Sequence, residues 1–291
     1  MDILTNYTFQ IVALGSVLLA VAAAPVGAFS VYKGQSLIGD AIGHSTFPGI
    51  ILAYMAFATR SPVILLAGAI LAGAASYALI QLAHRDKRLG LDANLAIFLS
   101  GFFGLGMALK SFIQGNPDYA GASQAGLGTY IFGQAAYMLE ADVLLIAVVS
   151  ALVLTLLLLF YKELKLFVFD AEYAEVVGLP CRLLNLLLLV MTIAVIGIGI
   201  KAVGAILISS FLIIPCVAAN QWSNNFARVL LLSSLIGAVS ALVGTYISTL
   251  EQGMSTGPSI ILVASLIAFF SIVFGTKGIL GSVLKRRRTH G

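Results

Sequence analysis

The sequence predicts an all-α, polytopic integral membrane protein with about eight or nine transmembrane helices and a short cytoplasmic coupling helix. Three observations predict that fold class. Of the 291 residues, 60% are hydrophobic and 10% charged, and the mean hydropathy is +1.05. A soluble domain carries about 25% charged residues, and a disordered chain holds far less apolar surface. The apolar residues gather into stretches near the roughly 20 residues that a helix needs to cross a bilayer. Those stretches are rich in Ala, Gly, Leu and Ile and lack the polar alternation of a barrel strand, while lipid tolerates only segments whose backbone is satisfied internally. The chain reads as a single transmembrane domain over 1–291. Its two cysteines, Cys181 and Cys216, are too few for a disulfide framework. The N-terminus shows no basic n-region or cleavage site, so no removable signal peptide is expected.

In chain order the apolar stretches are 10–32, 37–58, 62–83, 93–113, 141–161, 184–200, 203–221, 229–250 and 258–275. The sixth and seventh are short and Gly-rich, so one is expected to be broken or re-entrant, which leaves eight spans possible. Sixteen Lys and Arg residues orient the set. With Lys285-Arg286-Arg287-Arg288 in the cytoplasm, nine spans place thirteen of them inside, including Lys33, Lys162, Arg182, Arg228 and Lys277. Three, Arg60, Lys110 and Lys201, fall outside. The positive-inside rule then puts the N-terminus out and the C-terminus in, and the net charge of +4 reflects the same bias. The basic tail, 277–291, reads as a juxtamembrane lipid anchor rather than a nucleic-acid arm.

Two hydrophilic connections stand out. The outward one, about 115–140, contains Thr129 to Tyr137, a stretch that suits a short interfacial helix. The inward one, about 165–182, places Asp170 as an N-cap, Glu172 in a first turn and Gly178 with Pro180 as a stop. It reads either as a docking helix for a soluble partner or as an amphipathic loop on the membrane surface. Trp222, Tyr54 and Tyr7 lie near stretch ends and read as interfacial anchors.

Ionisable groups inside a span cost about 2.5–3.5 kcal/mol, so each invites a functional reading. Asp40 is the one acid well inside a stretch, and His44 the one histidine. Four residues apart, they share a helical face. An oxygen and a nitrogen donor together suit a borderline divalent cation such as Mn²⁺, Zn²⁺ or Fe²⁺. A structural ion pair and a proton relay are the competing readings. Gly39 and Gly43 form a neighbouring stripe for close helix approach, and Pro48-Gly49 is expected to interrupt the helix one turn later, where transporters tend to hold substrate. Two ligands do not fill a coordination shell; a second copy of this helix across a two-fold axis would supply two more. Cys216, after Pro215, reads as a packing residue. The chain contains neither G-x-x-x-x-G-K-[ST] nor H-E-x-x-H, so it is expected to be no enzyme, and any ATP drive comes from another polypeptide.

The run Leu37-Ile38-Gly39-Asp40-Ala41-Ile42-Gly43-His44-Ser45-Thr46-Phe47-Pro48-Gly49-Ile50 resembles the signature of the permease subunits of bacterial metal-specific ATP-binding-cassette (ABC) importers. Three more segments agree in type and order: Phe169-Asp170-Ala171-Glu172-Tyr173-Ala174 through Gly178, Val203-Gly204-Ala205 through Pro215-Cys216-Val217-Ala218-Ala219, and Thr256-Gly257-Pro258-Ser259-Ile260. Gly43 stands where many relatives have Ser, and Asn220 near a position often held by Arg. The resemblance implies a permease of the bacterial plasma membrane that works as a two-fold pair with a second permease copy. It implies docked ABC ATPase subunits, a metal-binding capture protein outside, and a metal path lined by Asp40 and His44. It implies coupling to the ATPase through Asp170, Glu172, Ala174 and Gly178. Phe132-Gly133-Gln134-Ala135-Ala136 is closer to the manganese/iron branch, so Mn²⁺ is the expected cargo, with Zn²⁺ or Fe²⁺ as alternatives and no permanently bound cofactor. Metal binding needs neutral His44, so uptake should weaken as that imidazole protonates in mild acid. The alternative function is a proton-coupled secondary metal transporter with Asp40 as its relay; a membrane enzyme with an Asp–His dyad lacks a nucleophile at suitable spacing.

Overall fold

The fold is seen in a computed structural model, which describes residues 6–59, 61–84, 90–116, 119, 138–250 and 254–278. Among them the regular structure consists of eleven α-helices: α1 (Tyr7–Tyr32), α2 (Ile38–Phe57), α3 (Pro62–His84), α4 (Leu91–Gly115), α5 (Glu140–Leu159), α6 (Tyr161–Phe169), α7 (Ala171–Val176), α8 (Cys181–Val203), α9 (Ala205–Asn220), α10 (Phe226–Leu250) and α11 (Thr256–Phe274). The nine long ones coincide with the nine apolar stretches. Seven of these are long and apolar enough to cross a membrane by length and composition. The other two fall short for different reasons: α2 carries Asp40, His44, Ser45 and Thr46 in its first half, and α9 has 16 residues, about 24 Å of helix.

The sixth stretch is longer than its apolar core suggests, because α8 begins at Cys181 and extends to Val203. Shortness belongs to α9 alone. The chain breaks between the two at Gly204, whose φ of +87° is open to glycine, and the helices fold back enough that Gly199 packs against Ile208. Of the seven apolar spans α1 and α8 are the most enclosed and α4 the most exposed; α2 is buried along most of its length, so α1, α2 and α8 form the centre of the bundle. Tyr54 is buried at 6% exposure and packs in the core, so it is no interfacial anchor, whereas Trp222 and Tyr7 are exposed.

Prolines inside these helices leave a carbonyl four residues back without its usual donor. In α1 the carbonyl opposite Pro25 belongs to Val21, and Ser234 Oγ of α10 donates to it at 3.2 Å. Pro48 does not break α2, which is continuous from Ile38 to Phe57; the interruption expected at Pro48-Gly49 is absent. Close packing explains the continuity. A Cβ on Gly49 would lie 2.1 Å from the Gly68 carbonyl oxygen of α3, and one on Gly106 of α4 would lie 2.5 Å from Phe47 and 3.1 Å from Pro48. The helix is clamped on two sides where the proline would let it bend.

Contacts sort the helix ends into two sets. At one end Tyr32, Phe169 and Phe226 pack ring to ring, Tyr32 OH donates to Asn220 Oδ1 at 2.9 Å, and the Lys277 N–H donates to the Gln221 carbonyl at 3.0 Å. At the other, Tyr7 OH donates to Glu140 Oε1 at 2.5 Å and Ser248 bonds Thr256 at 3.3 Å. Lys33, Lys277 and the α6–α7 segment share the first end. The outward stretch 120–137, including Phe132 to Ala136, and the tail beyond 278 lie outside the described residues.

Candidate functional site

The site grows out of the connection between α1 and α2. Helix α1 ends in a turn closed by three backbone bonds: Lys33 N–H to Phe29 O, Gly34 N–H to Val31 O and Gln35 N–H to Ser30 O, with Gly34 at φ +75°. That six-to-one pattern around a left-handed glycine is a Schellman cap. Ile38 N–H then donates to Gln35 O and starts α2. Asp40 therefore sits in the first turn of α2, where the helix dipole favours a carboxylate.

Although it opens a helix, Asp40 is not at the rim of the bundle. Its neighbours belong to the first half of α9, beyond that helix's opening turn. The Ser209 hydroxyl of α9 hydrogen-bonds its carboxylate, and Gly39 beside it packs on Leu212. One turn on, the His44 ring meets Phe103 of α4 edge to face, centroids 5.0 Å apart at 84°. Ser45 donates to the Ala41 carbonyl at 2.6 Å and bonds Ser76 of α3 at 2.7 Å, which fixes the opposite flank. His44 Nε2 and Asp40 Oδ1 lie 3.4 Å apart. Their side chains are 17% and 32% exposed, so the pair reaches the surface of the single chain. Pro48 also acts here, since the carbonyl that loses its helical donor is that of His44.

Chemically this is one carboxylate, one imidazole and one hydroxyl converging from α2 and α9. Among the described residues no group of three or more His, Cys, Asp and Glu comes together that could hold a metal ion. The pair is thus a partial donor set, open on one side. Cys216 is fully buried in α9 and makes no part of it.

The second candidate region is α6–α7. Asp170 Oδ1 accepts from the Tyr173 N–H at 2.9 Å and caps α7, Glu172 lies in its first turn, and Ala174 is fully buried. Gly178 at φ +86° ends it, with the Leu179 N–H returning to the Ala174 carbonyl. The expected cap, first turn and stop are all present. Unanticipated in the sequence was α6, a separate helix of nine residues that seats Phe167 in the core. The outer side is exposed and of mixed character: Phe169, Tyr173, Val176 and Val177 are 54%, 55%, 84% and 55% accessible, and Asp170, Glu172 and Glu175 are exposed beside them. Sequence reasoning also missed Ser209, because a serine in an apolar helix carries no signal of its own, and it counted Lys33 only for orientation. Asn220 Oδ1 accepts from Lys277 Nζ at 3.2 Å.

A family model described as "ABC 3 transport family" matches residues 5–275. The chain belongs to that family. It is 39% identical over 289 residues to the zinc transport system membrane protein TroC of Treponema pallidum, covering 99% of this chain and 96% of that one. It is 38% identical to the manganese transport system membrane protein MntC of Bacillus subtilis, covering 96% of this chain and 65% of that longer protein. A probable iron transport system membrane protein of Haemophilus influenzae is 32% identical over 87% of this chain and 84% of its own length. Among solved structures, PsaBC from Streptococcus pneumoniae in complex with Fab superposes with a TM-score of 0.81 at 27% identity over 94% of both chains. Members of this family are permease subunits of ABC transporters, and this chain is a multi-pass membrane permease rather than an enzyme.

Proposed function

We propose that this permease serves a bacterial ABC importer and moves a divalent transition-metal ion, Mn²⁺ first and Zn²⁺ or Fe²⁺ as alternative cargo, across the plasma membrane. The observation that carries the reading is the Asp40–His44 pair. Donors bound to one ion at about 2.1 Å stand roughly 3.0–3.4 Å apart in octahedral or tetrahedral coordination, and the 3.4 Å between Oδ1 and Nε2 matches. The bundle end that carries Lys33, Lys277 and α7 is the cytoplasmic one, which puts the N-terminus outside and the C-terminus inside.

The mechanism follows from the open donor set. A capture protein releases the ion into an outward cleft, where the Asp40 carboxylate and the neutral His44 imidazole replace part of its water shell. A second permease copy brings its own pair across a two-fold axis and completes the coordination. ABC ATPase subunits dock on the exposed side of α7, and their closure on ATP turns the path inward. Among the described residues no cysteine joins the Asp40–His44 pair, so oxygen-preferring Mn²⁺ is not placed at a disadvantage. The test is radiolabelled Mn²⁺ uptake by the reconstituted permease–ATPase complex with its capture protein: Asp40→Ala and His44→Ala are expected to abolish uptake while still assembling. Wild-type uptake in both would overturn the site.

A further inference from the structure

Lys33 is a cation held inside the cytoplasmic end of the bundle. Its Nζ donates to Asn185 Oδ1 of α8 and lies 4.8 Å from the Phe167 ring centroid of α6, a cation–π distance. Asn185 Nδ2 in turn donates to Tyr77 OH of α3 at 2.9 Å, and Gln81 Nε2 donates to the same hydroxyl at 2.6 Å. The titratable side chains at this end of the elements packed around Lys33 are Tyr32 of α1, Tyr77 and His84 of α3, Tyr161, Lys162, Glu163 and Lys165 of α6, and Cys181 and Arg182 of α8. Among the described residues none of them forms an ion pair with it. Glu163, one turn from Phe167, keeps its buried Oε2 without a hydrogen-bond partner.

The backbone of Lys33 is as constrained as its head. It is the C-cap of α1 and enters the Schellman turn closed by Gln35 N–H on the Ser30 carbonyl; the Gln35 carbonyl in turn accepts from Ile38 N–H at the start of α2, so a short hydrogen-bonded connection joins Lys33 to the helix that carries Asp40. On the other side, Phe167 is rooted in the core while Tyr173 and Val176 of α7, six and nine residues further along the same segment, stand exposed. Phe169 adds a second grip through Phe226 and Tyr32. A continuous line of contacts thus leads from the exposed α7 surface through Phe167 and Lys33 to the start of α2.

We propose that Lys33 is a positioning residue, the joint through which movement of the α6–α7 segment is passed to the metal-bearing start of α2. The inference rests on the importer reading given above. An apolar side chain would pack against Phe167 but would neither bind Asn185 nor grip the ring face by charge, so α6 would move without carrying the turn. Arginine keeps both contacts, because its planar guanidinium stacks on aromatic faces and donates hydrogen bonds.

The experiment uses the permease–ATPase complex with its capture protein in proteoliposomes and reads Mn²⁺ accumulated per ATP hydrolysed. Lys33→Met is expected to retain ATP hydrolysis while the ratio falls about tenfold, within the usual range of coupling between sites, and Lys33→Arg to restore it. A Lys33→Met complex with the wild-type ratio overturns the inference. Should that variant fail to assemble, the wild-type ratio is followed from pH 7 to 9.5. It is expected to fall as Lys33, whose burial lowers its pKa to about 8, loses its proton, whereas Lys33→Arg stays level. A flat wild-type profile overturns the inference alone. A wild-type complex that moves no metal overturns the importer reading, and this inference with it.

Discussion

At the start of α2, a carboxylate and an imidazole meet because four residues of helix bring their side chains to one face, and because the Schellman turn delivers that helix into the bundle rather than to its rim. Isosteric substitutions separate donor chemistry from packing. Asp40→Asn and His44→Gln should leave thermal unfolding in detergent nearly unchanged while metal uptake falls by about 100-fold or more, since even residues behind a ligand are worth 10–100-fold. Lys33 gives a second residue-scale expectation. Burial lowers its pKa from 10.5 to about 8, so between those values the unfolded chain holds a proton that the folded chain lacks. Stability then rises with pH across that window, because the cost of the buried charge is relieved. Denaturant unfolding from pH 7.5 to 10.5 should show this rise in the wild type and lose that component in Lys33→Met. Ser234 offers a third: its hydroxyl serves the Val21 carbonyl opposite Pro25, and Ser234→Ala should cost about 1 kcal/mol in unfolding free energy.

At the scale of elements, glycines decide which helices touch. Gly49 and Gly68 bring α2 and α3 into backbone contact, since a Cβ on either would lie within 2.1–2.4 Å of the other's carbonyl oxygen. Gly68→Ala should therefore displace α2 and cost about 1–3 kcal/mol, as overpacking does, with a lower unfolding temperature of the purified chain. The same contacts explain what the sequence could and could not tell. All nine long helices were legible as apolar stretches, and the cap, first turn and stop of α7 were legible in Asp170, Glu172 and Gly178, because these signals are local. The Asp40–His44 face was legible for the same reason. Pro48-Gly49 misled because its local signal, a helix break, is overridden by packing of Gly49 on Gly68 and of Pro48 on Gly106, and no local rule encodes a partner helix. Tyr54 misled likewise: position near a stretch end suggested the interface, while the bundle buries it. Ser209 and Asn185 were invisible because each matters only through a residue far away in the chain.

For the whole molecule, the two ends of the bundle divide the work. One holds Tyr7 and Glu140; the other gathers Lys33, Lys277, the aromatic cluster around Phe226 and the exposed side of α7. If α7 is where ATPase subunits dock, Val176→Glu should abolish their co-purification with the permease without changing its unfolding temperature, because Val176 is 84% exposed and supports no core. The central claim, ATP-driven metal passage past Asp40 and His44, is tested most directly by Mn²⁺ accumulation in proteoliposomes that hold the permease, its ATPase subunits and its capture protein. Accumulation is expected with ATP and not with a pH gradient alone, and it should vanish in Asp40→Ala. Accumulation driven by a proton gradient without ATPase subunits, or an Asp40→Ala complex that transports at the wild-type rate, would contradict it.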